Sequence, residues 1–160
     1  MQGKPLVDLE SLDLTRNVVP EEELRAALPH RDQFQLLDGI CYYDPERNLA
    51  VGYKDWDAEP WWGNAHIPGR PIMPGVLMIE GAAQVASYLI KKTSQWAADR
   101  FIGLAGLNNV RMRGLVEPPA RVYFISGDVK LSGRRLARMP AQVFCKGEMK
   151  MEMELLGVML

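Results

Sequence analysis

The chain has 160 residues, of which 48% are hydrophobic and 24% charged, and this composition predicts one compact globular domain. Its 19 basic and 20 acidic residues leave a net charge of −1, so no global charge draws the protein to nucleic acid or to a membrane surface. Two cysteines and two histidines, widely spaced, do not supply the close pairs of a zinc site. We therefore expect no metal, nucleic-acid or membrane partner, and each histidine becomes a candidate for chemistry.

The N-terminal residues differ in composition from the rest of the chain. We expect residues 1–19 to form an extension and residues 20–160 to form a single domain. The extension lacks the basic start and apolar run of a secretory signal, which predicts a cytoplasmic protein. A short helix is predicted over Pro20–Leu28, because proline and glutamates suit the first turn of a helix.

The next part of the chain predicts a hairpin followed by a long loop. Two β-favouring segments, 35–43 and 48–56, are joined by residues 44–47, which have turn chemistry. Residues 57–74 then contain four prolines, two glycines and a pair of tryptophans, too irregular a pattern for a helix or a strand. Long ordered loops of this kind often carry function.

The longest helical pattern covers residues 76–92 and is apolar nearly all round. Its polar residues fall on one narrow stripe formed by Glu80, Gln84, Ser87 and Lys91. The stripe fits the solvent-facing side of an amphipathic helix, although the small residues between its members favour close packing against a sheet. Glu80 and Gln84 also interrupt the apolar window 71–90, so we expect a buried helix and no membrane span.

The remaining third of the chain predicts β-structure. Alternating apolar and polar residues in 148–155 predict a strand that buries its methionine face. A hairpin turn is expected at 131–134. The predicted strands are 101–113, 121–131, 137–146 and 148–159. An early hairpin, one long helix and several consecutive strands predict an α+β fold, with an antiparallel sheet wrapped around a buried helix.

The candidate chemistry lies in the run from His66 to Glu80. Prolines beside glycines stiffen the loop that holds His66, and Gly75 opens the helix, where free backbone N–H groups can stabilise an oxyanion. Burial of Glu80 would raise the pKa of its carboxyl group and keep it available as an acid, while histidine suits a base. These are the groups needed to remove a proton next to a carbonyl and expel a neighbouring hydroxyl.

The run 66–77, His-Ile-Pro-Gly-Arg-Pro-Ile-Met-Pro-Gly-Val-Leu, is followed by Glu-Gly-Ala-Ala-Gln at 80–84. Together they resemble the signature of the hot-dog fold 3-hydroxyacyl-acyl-carrier-protein dehydratases of the FabZ type. Leu-Pro-His-Arg at 28–31 resembles a second segment of that family, and the resemblance covers about residues 20–160. It implies a hot-dog fold, catalytic roles for His66, Glu80 and the Gly75 amide, and a structural role for His30.

The implied reaction is reversible dehydration of a (3R)-hydroxyacyl thioester to the trans-2-enoyl thioester, in fatty acid synthesis. His66 would take the C2 proton, the Gly75 amide would stabilise the thioester oxygen, and Glu80 would protonate the departing hydroxyl or orient the departing water. Gln84 either orients Glu80 through a hydrogen bond or only packs. No cofactor is implied, because the substrate is carried on the phosphopantetheine of acyl carrier protein.

The resemblance also implies partners and a substrate tunnel. It predicts a homodimer in which the histidine of one subunit faces the glutamate of the other, and a trimer of dimers is common among relatives. The candidates for the acyl tunnel or its loop are Trp61, Trp62, Ile67 and Pro74. The candidates for a basic surface that docks the carrier protein are Arg100, Arg111, Arg113, Arg134, Arg135 and Arg138.

Some positions depart from the family pattern and leave other functions open. The loop at 59–65 is one residue longer than usual, Ile67 replaces phenylalanine and Gly81 replaces alanine, which changes the shape of the tunnel. One alternative is a hot-dog acyl thioesterase that uses Glu80 with an activated water. The other is a non-catalytic module that binds acyl chains or carrier protein while the altered loop holds His66 out of line.

Overall fold

A computed structural model describes residues 3–94 and 99–160 of the chain. The helices are α1 (Glu21–Ala27), α2 (Gly63–His66) and α3 (Gly75–Thr93), with short 3-10 turns at Leu9–Ser11 and Asp32–Phe34. The strands are β1 (Gly39–Asp44), β2 (Leu49–Trp56), β3 (Ile102–Met112), β4 (Ala120–Ser126), β5 (Lys130–Ser132), β6 (Leu136–Cys145) and β7 (Glu148–Met159). Within the described ranges, none of the helices combines the length and the apolar character needed to cross a membrane.

The strands form one antiparallel sheet in the order β1-β2-β4-β6-β7-β3, with β5 attached to β6. The sheet wraps around α3, which contacts β2, β3, β4, β6 and β7. The core between them includes fully buried Tyr88, Phe124, Met139 and Met151. This is the α+β hot-dog arrangement that the sequence predicted, because the helix is apolar on every side that meets the sheet.

Local chemistry explains the hairpins and the buried face of the last strand. The Asp44 carboxylate accepts hydrogen bonds from the backbone N–H groups of Glu46 and Arg47, which closes the turn between β1 and β2. Gly133 has a φ of 59° in the turn between β5 and β6, a conformation that glycine adopts without strain. The methionine face of β7 is buried, as the alternation predicted.

Two predicted segments differ from the structure. The segment 57–74 is not wholly irregular, because its backbone makes one helical turn, α2, in which the His66 N–H bonds to the Trp62 carbonyl. The single strand predicted over 121–131 is divided into β4 and β5. Asp128 lies between them with a φ of 48°, and this left-handed conformation ends the extended backbone.

The N-terminal extension lies across the outer face of the sheet. Gln142 on β6 fixes it with two hydrogen bonds, donating to the Lys4 carbonyl and accepting from the Leu6 N–H. Its apolar side chains cover an outer apolar cluster that includes Val51, Ile125 and Phe144. The covering residues are Leu6, Val7, Leu9, Leu12 and Leu14. The extension therefore shields apolar surface on the side of the sheet opposite α3.

Candidate active site

Helix α3 carries Glu80 in its second turn and lies close against the sheet. A methyl group added at Gly81 would stand 2.5 Å from the Phe124 ring, so glycine permits this close approach. Glu80 is one residue earlier, about 100° around the helix from Gly81, so its side chain does not point at the Phe124 ring. Glu80 remains half-buried, with 29% of its side chain exposed.

The Glu80 carboxylate receives two contacts on the same oxygen. His30 Nε2 lies 3.1 Å from Glu80 Oε1, and the amide of Gln84 donates to Oε1 at 3.0 Å. Gln84 is 1% exposed, donates also to the Phe34 carbonyl at 2.7 Å, and accepts from the Leu36 N–H at 3.1 Å. The polar stripe is therefore not a solvent-facing surface at Gln84, and of the two roles left open for Gln84 the hydrogen bond to Glu80 is present.

The contact with His30 changes the ionisation expected for Glu80. The side-chain hydrogen bond from His30 holds the pKa of the Glu80 carboxyl below its ordinary value of 4.5, and the bond from Gln84 acts in the same direction. Burial acts in the opposite direction but is outweighed. The prediction that the pKa of Glu80 lies above its ordinary value is therefore wrong, because the sequence did not reveal the imidazole whose hydrogen bond outweighs burial.

His66 ends α2 and is exposed, with a fixed tautomer. Its Nδ1 lies 2.9 Å from the Ile72 carbonyl oxygen, and because a carbonyl only accepts, Nδ1 must carry the proton. In the neutral ring, Nε2 then holds a free lone pair and can act as a base. The loop between these residues closes with a bond from the Arg70 N–H to the Ile67 carbonyl, and Gly69 supplies the positive φ of 77° that this turn needs.

Gly75 is the first residue of α3 and follows Pro74, which makes no side-chain capping bond. The N–H groups of a helix's first turn have no intrahelical partner and lie at the positive end of the helix dipole. A methyl group at Gly75 would stand 2.5 Å from the end of the Met112 side chain on β3. The Gly75 amide therefore has the chemical character of an oxyanion donor, at a position bordered by β3.

An apolar cavity of about 130 Å³ adjoins the Glu80–His30 pair. Its other lining residues are Ala83, Ala86, Ser87, Ile90, Phe101, Ile102, Gly103, Leu104, Met139, Leu155 and Gly157. Neither His66 nor Gly75 is among the described residues that line it. A single chain thus presents His66 in one place and the Glu80 carboxylate in another.

The four candidate tunnel residues lie outside this cavity. Trp62 is 1% exposed and packs edge-on against Trp56, with ring centroids 5.4 Å apart, so it belongs to the core. Pro74 is buried at the start of α3, while Trp61 and Ile67 are exposed on the loop. The residues that do line the cavity come mainly from α3, the start of β3 and β7. In the sequence, these lining residues show only an apolar pattern. Such a pattern does not distinguish residues that line a cavity from residues of the packed core.

The candidate docking arginines occupy separate places. Arg111 stands opposite Glu152 in the sheet, and Arg113 forms an ion pair with the same glutamate. Arg138 stands opposite Leu156 and lies 3.6 Å from Glu154. Glu152 and Leu156 are four residues apart on β7, or about 13 Å at roughly 3.3 Å per residue.

The other three candidate arginines lie outside the strands. Arg134 and Arg135 lie in the turn before β6, and Arg100 borders an open groove beside α1. The six therefore do not form one patch.

His30 is the residue whose position the sequence did not reveal. The family resemblance implied a structural role, but the structure places its imidazole against Glu80 and in the wall of the cavity. The two residues are 50 positions apart, and no local pattern links them. Only the path of the chain from α1 back over α3 brings them together.

The chain is similar in sequence to proteins of one known family. A family model described as a FabA-like domain matches residues 28–154. The 3-hydroxyacyl-[acyl-carrier-protein] dehydratase FabZ of Clostridium botulinum, in two strains, is 35% identical over 133 residues, covering 79% of this chain and 93% of the relative.

The fold is also similar to that of solved structures. A chain of the dehydratase heterocomplex ApeI:P from Xenorhabdus doucetiae gives a TM-score of 0.68 at 15% identity, covering 86% of this chain and 90% of the other. A mutant thioesterase from Pseudomonas aeruginosa gives 0.65 at 12% identity, covering 92% and 99%. At these identities the likeness shows a shared fold and does not choose between dehydration and thioester hydrolysis.

Proposed function

Because this chain belongs to the FabA-like family, we propose that it removes water from (3R)-hydroxyacyl thioesters of acyl carrier protein, giving trans-2-enoyl thioesters for fatty acid synthesis. The observation that carries the proposal is the fixed tautomer of His66. Its Nδ1 is committed to the Ile72 carbonyl, so Nε2 is available to take a proton from C2 of the substrate. The relatives named FabZ dehydratases support the same reaction.

The remaining groups act on the charge that develops as the proton leaves. Removal of the C2 proton places negative charge on the thioester oxygen, and the Gly75 amide at the start of α3 is the donor for that oxygen. The C2–H bond and the C3–O bond both break, and the departing hydroxyl leaves as water. The lowered pKa of Glu80 favours its carboxylate, so Glu80 accepts a hydrogen bond and orients the departing hydroxyl.

Proton balance follows from this assignment. The proton that His66 removes from C2 is transferred to the hydroxyl, which leaves as water and returns the imidazole to its starting state. Of the two roles that the sequence left open for Glu80, the ionised carboxylate supports orientation of the departing water.

The separation of His66 from the Glu80 cavity supports a homodimer in which each site combines residues of two chains. Strand β3 ends the strand order, so its outer edge pairs with no other strand of the described residues 3–94 and 99–160. Its exposed apolar residues are Leu104, Leu107, Val110 and Met112. Such an edge can pair with a second copy, and Met112 of this strand already borders Gly75.

Acyl carrier protein is the proposed source of the substrate. Of the candidate docking residues, Arg138 is next in sequence to Met139, which lines the cavity beside Glu80. Arg134 and Arg135 precede it in the same turn and strand. Neighbouring side chains on a strand point to opposite faces, so none of these arginines lines the cavity: Met139 faces it from the inner face, whereas Arg138 lies with Glu154 on the outer face of the sheet. Cations there complement an acidic carrier.

An assay of 3-hydroxyacyl-carrier dehydration tests the proposed function. We expect enoyl thioester from the wild-type protein, and a fall in kcat of roughly 10²–10⁴-fold for His66→Ala, because a general base is lost. Val76→Ala, which trims an exposed residue of α3, serves as the control and retains activity. Free thiol released without enoyl product would instead indicate a thioesterase. Carrier binding without turnover would indicate a binding module.

A further inference from the structure

The two hydrogen bonds to Glu80 divide its carboxylate into a held oxygen and an available one. His30 Nε2 and the Gln84 amide both meet Oε1, at 3.1 Å and 3.0 Å. Because the carboxylate is planar, fixing Oε1 from two directions also fixes where Oε2 stands. The half-buried pair lies in the wall of the apolar cavity.

The backbone on both sides of His30 is held by a neighbouring guanidinium. Arg31 donates to the carbonyls of Leu28 and His30, each at 2.7 Å, and to the Arg25 carbonyl at 3.1 Å. These bonds join the end of α1 to the segment that carries His30. The imidazole therefore reaches Glu80 from a braced backbone.

Gln84 links the segment 30–36 to α3 through hydrogen bonds. It bonds to the backbone at Phe34 and Leu36, a few residues after His30, as well as to Glu80. The two donors to Glu80 thus belong to one connected network. Movement of the segment 30–36 relative to α3 would displace His30 from Glu80 and break the bonds with Phe34 and Leu36 that hold the Gln84 amide.

The second nitrogen of the His30 ring, Nδ1, shows that the ring does not lie where both of its nitrogens form hydrogen bonds with the described residues. His30 Nδ1 is buried and has no hydrogen-bond partner in the described part of the chain. A buried polar atom without a partner costs stability, and such a cost calls for an explanation. The contact from Nε2 to Glu80 supplies an explanation, because among residues 3–94 and 99–160 it is the polar contact that the ring makes.

We propose that His30 is a positioning residue for Glu80: with Gln84 it fixes Oε1 of the carboxylate, so that Oε2 accepts the hydrogen bond of the substrate hydroxyl. The inference rests on the proposed dehydration and assigns His30 no contact with the reacting atoms. The lowered pKa of Glu80 agrees with it, since His30 is the largest cause. An oriented carboxylate acts in the transition state, so loss of His30 should lower kcat more than it raises KM.

Steady-state dehydration by wild type, His30→Ala, His30→Gln and His30→Asn tests this role. We expect His30→Ala to lower kcat roughly ten- to hundred-fold, the range for losing a hydrogen bond to a charged group, with KM changed by less than about twofold. Glutamine can place its amide nitrogen near the position of Nε2, whereas asparagine reaches only the position of Nδ1. The glutamine variant should therefore recover activity and the asparagine variant should not. This pair tests whether a donor is needed at the position of Nε2, even if the alanine variant fails to fold. Gln33→Ala, an exposed change in the same segment, is the matched control.

A double-mutant cycle with Glu80→Gln shows whether His30 acts through Glu80. We expect His30→Ala to lower kcat by less than about twofold in the Glu80→Gln background, because the group it positions is already neutral. An equal loss in both backgrounds, or equal activity of the glutamine and asparagine variants, would overturn the inference while leaving the dehydratase intact. A wild-type protein without dehydratase activity would overturn the proposed function and this inference together.

Discussion

The Gly75 amide and His66 illustrate how single atoms define the proposed site. One carbonyl oxygen, from Ile72, decides which nitrogen of the neutral His66 ring keeps its lone pair. One N–H group, at the first residue of α3, meets no capping side chain from Pro74 and is available for an oxyanion. Both assignments concern backbone groups, so side-chain substitutions test them only indirectly.

Substitution of Gly75 by proline removes that N–H directly. Proline is tolerated at the first position of a helix, and Pro74 has a ψ of 131°, which suits a residue before proline. We expect Gly75→Pro to fold and to lower kcat by about 10²–10³-fold, the usual effect of losing one oxyanion donor. Gly75→Ala adds a similar bulk beside flexible Met112 but keeps the N–H, so it should retain activity. Equal kcat values for the two variants would contradict the oxyanion role.

At the scale of elements, the packing of α3 on the sheet explains a departure from the family pattern. Gly81 replaces the usual alanine, and in this chain the Phe124 ring fills the space that an alanine methyl would need. A side chain at position 81 and the ring at position 124 would therefore occupy the same space, and only one of them fits. The departure reflects a local exchange of bulk between helix and sheet.

This exchange predicts a specific pattern of stability. Gly81→Ala should lower the free energy of unfolding by roughly 1–3 kcal/mol through overpacking, although alanine is favoured over glycine in helices by about 1 kcal/mol. In a Phe124→Leu background, the same substitution should be neutral or stabilising, because the ring atoms nearest the new methyl are gone. Urea unfolding of the four proteins measures both effects. The same loss in both backgrounds would show that the ring is not the obstacle.

At the scale of the whole molecule, the single chain does not complete its proposed site. His66 lies on the loop before α3, while Glu80 lies in the wall of a cavity that no described part of the loop lines. The edge of β3, which pairs with no other described strand and carries exposed apolar residues, is the surface that we propose for pairing with a second copy. If the site is shared in this way, as we propose, activity requires self-association.

Mixing two inactive variants tests whether the site is shared between chains. Co-expression of His66→Ala with Glu80→Gln should restore about a quarter of wild-type activity, because half of randomly mixed dimers carry one intact site of two. Mixing His66→Ala with the double variant His66→Ala/Glu80→Gln should restore none and serves as the control. No recovery in the first mixture, with dimers present by light scattering, would mean that His66 and Glu80 act within one chain.

Much of the fold could be predicted from the sequence because its helices and strands have a strong local periodicity of apolar residues. The helix 76–92 and the strand 148–159 match α3 and β7 closely, since both are fixed by apolar spacing. The helical turn α2 and the division between β4 and β5 were missed. Four-residue turns and single left-handed residues leave little trace in a periodic pattern.

The sequence by itself determined which groups are present: one histidine in a stiffened loop, a glycine opening a helix, and a carboxyl group one turn later. Only the tertiary structure decided how they act. It brought His30 from 50 residues away onto Glu80, which favours the carboxylate, and it separated His66 from the cavity beside Glu80. Periodicity and spacing act along the chain, whereas the ionisation of a buried group depends on neighbours that only folding supplies.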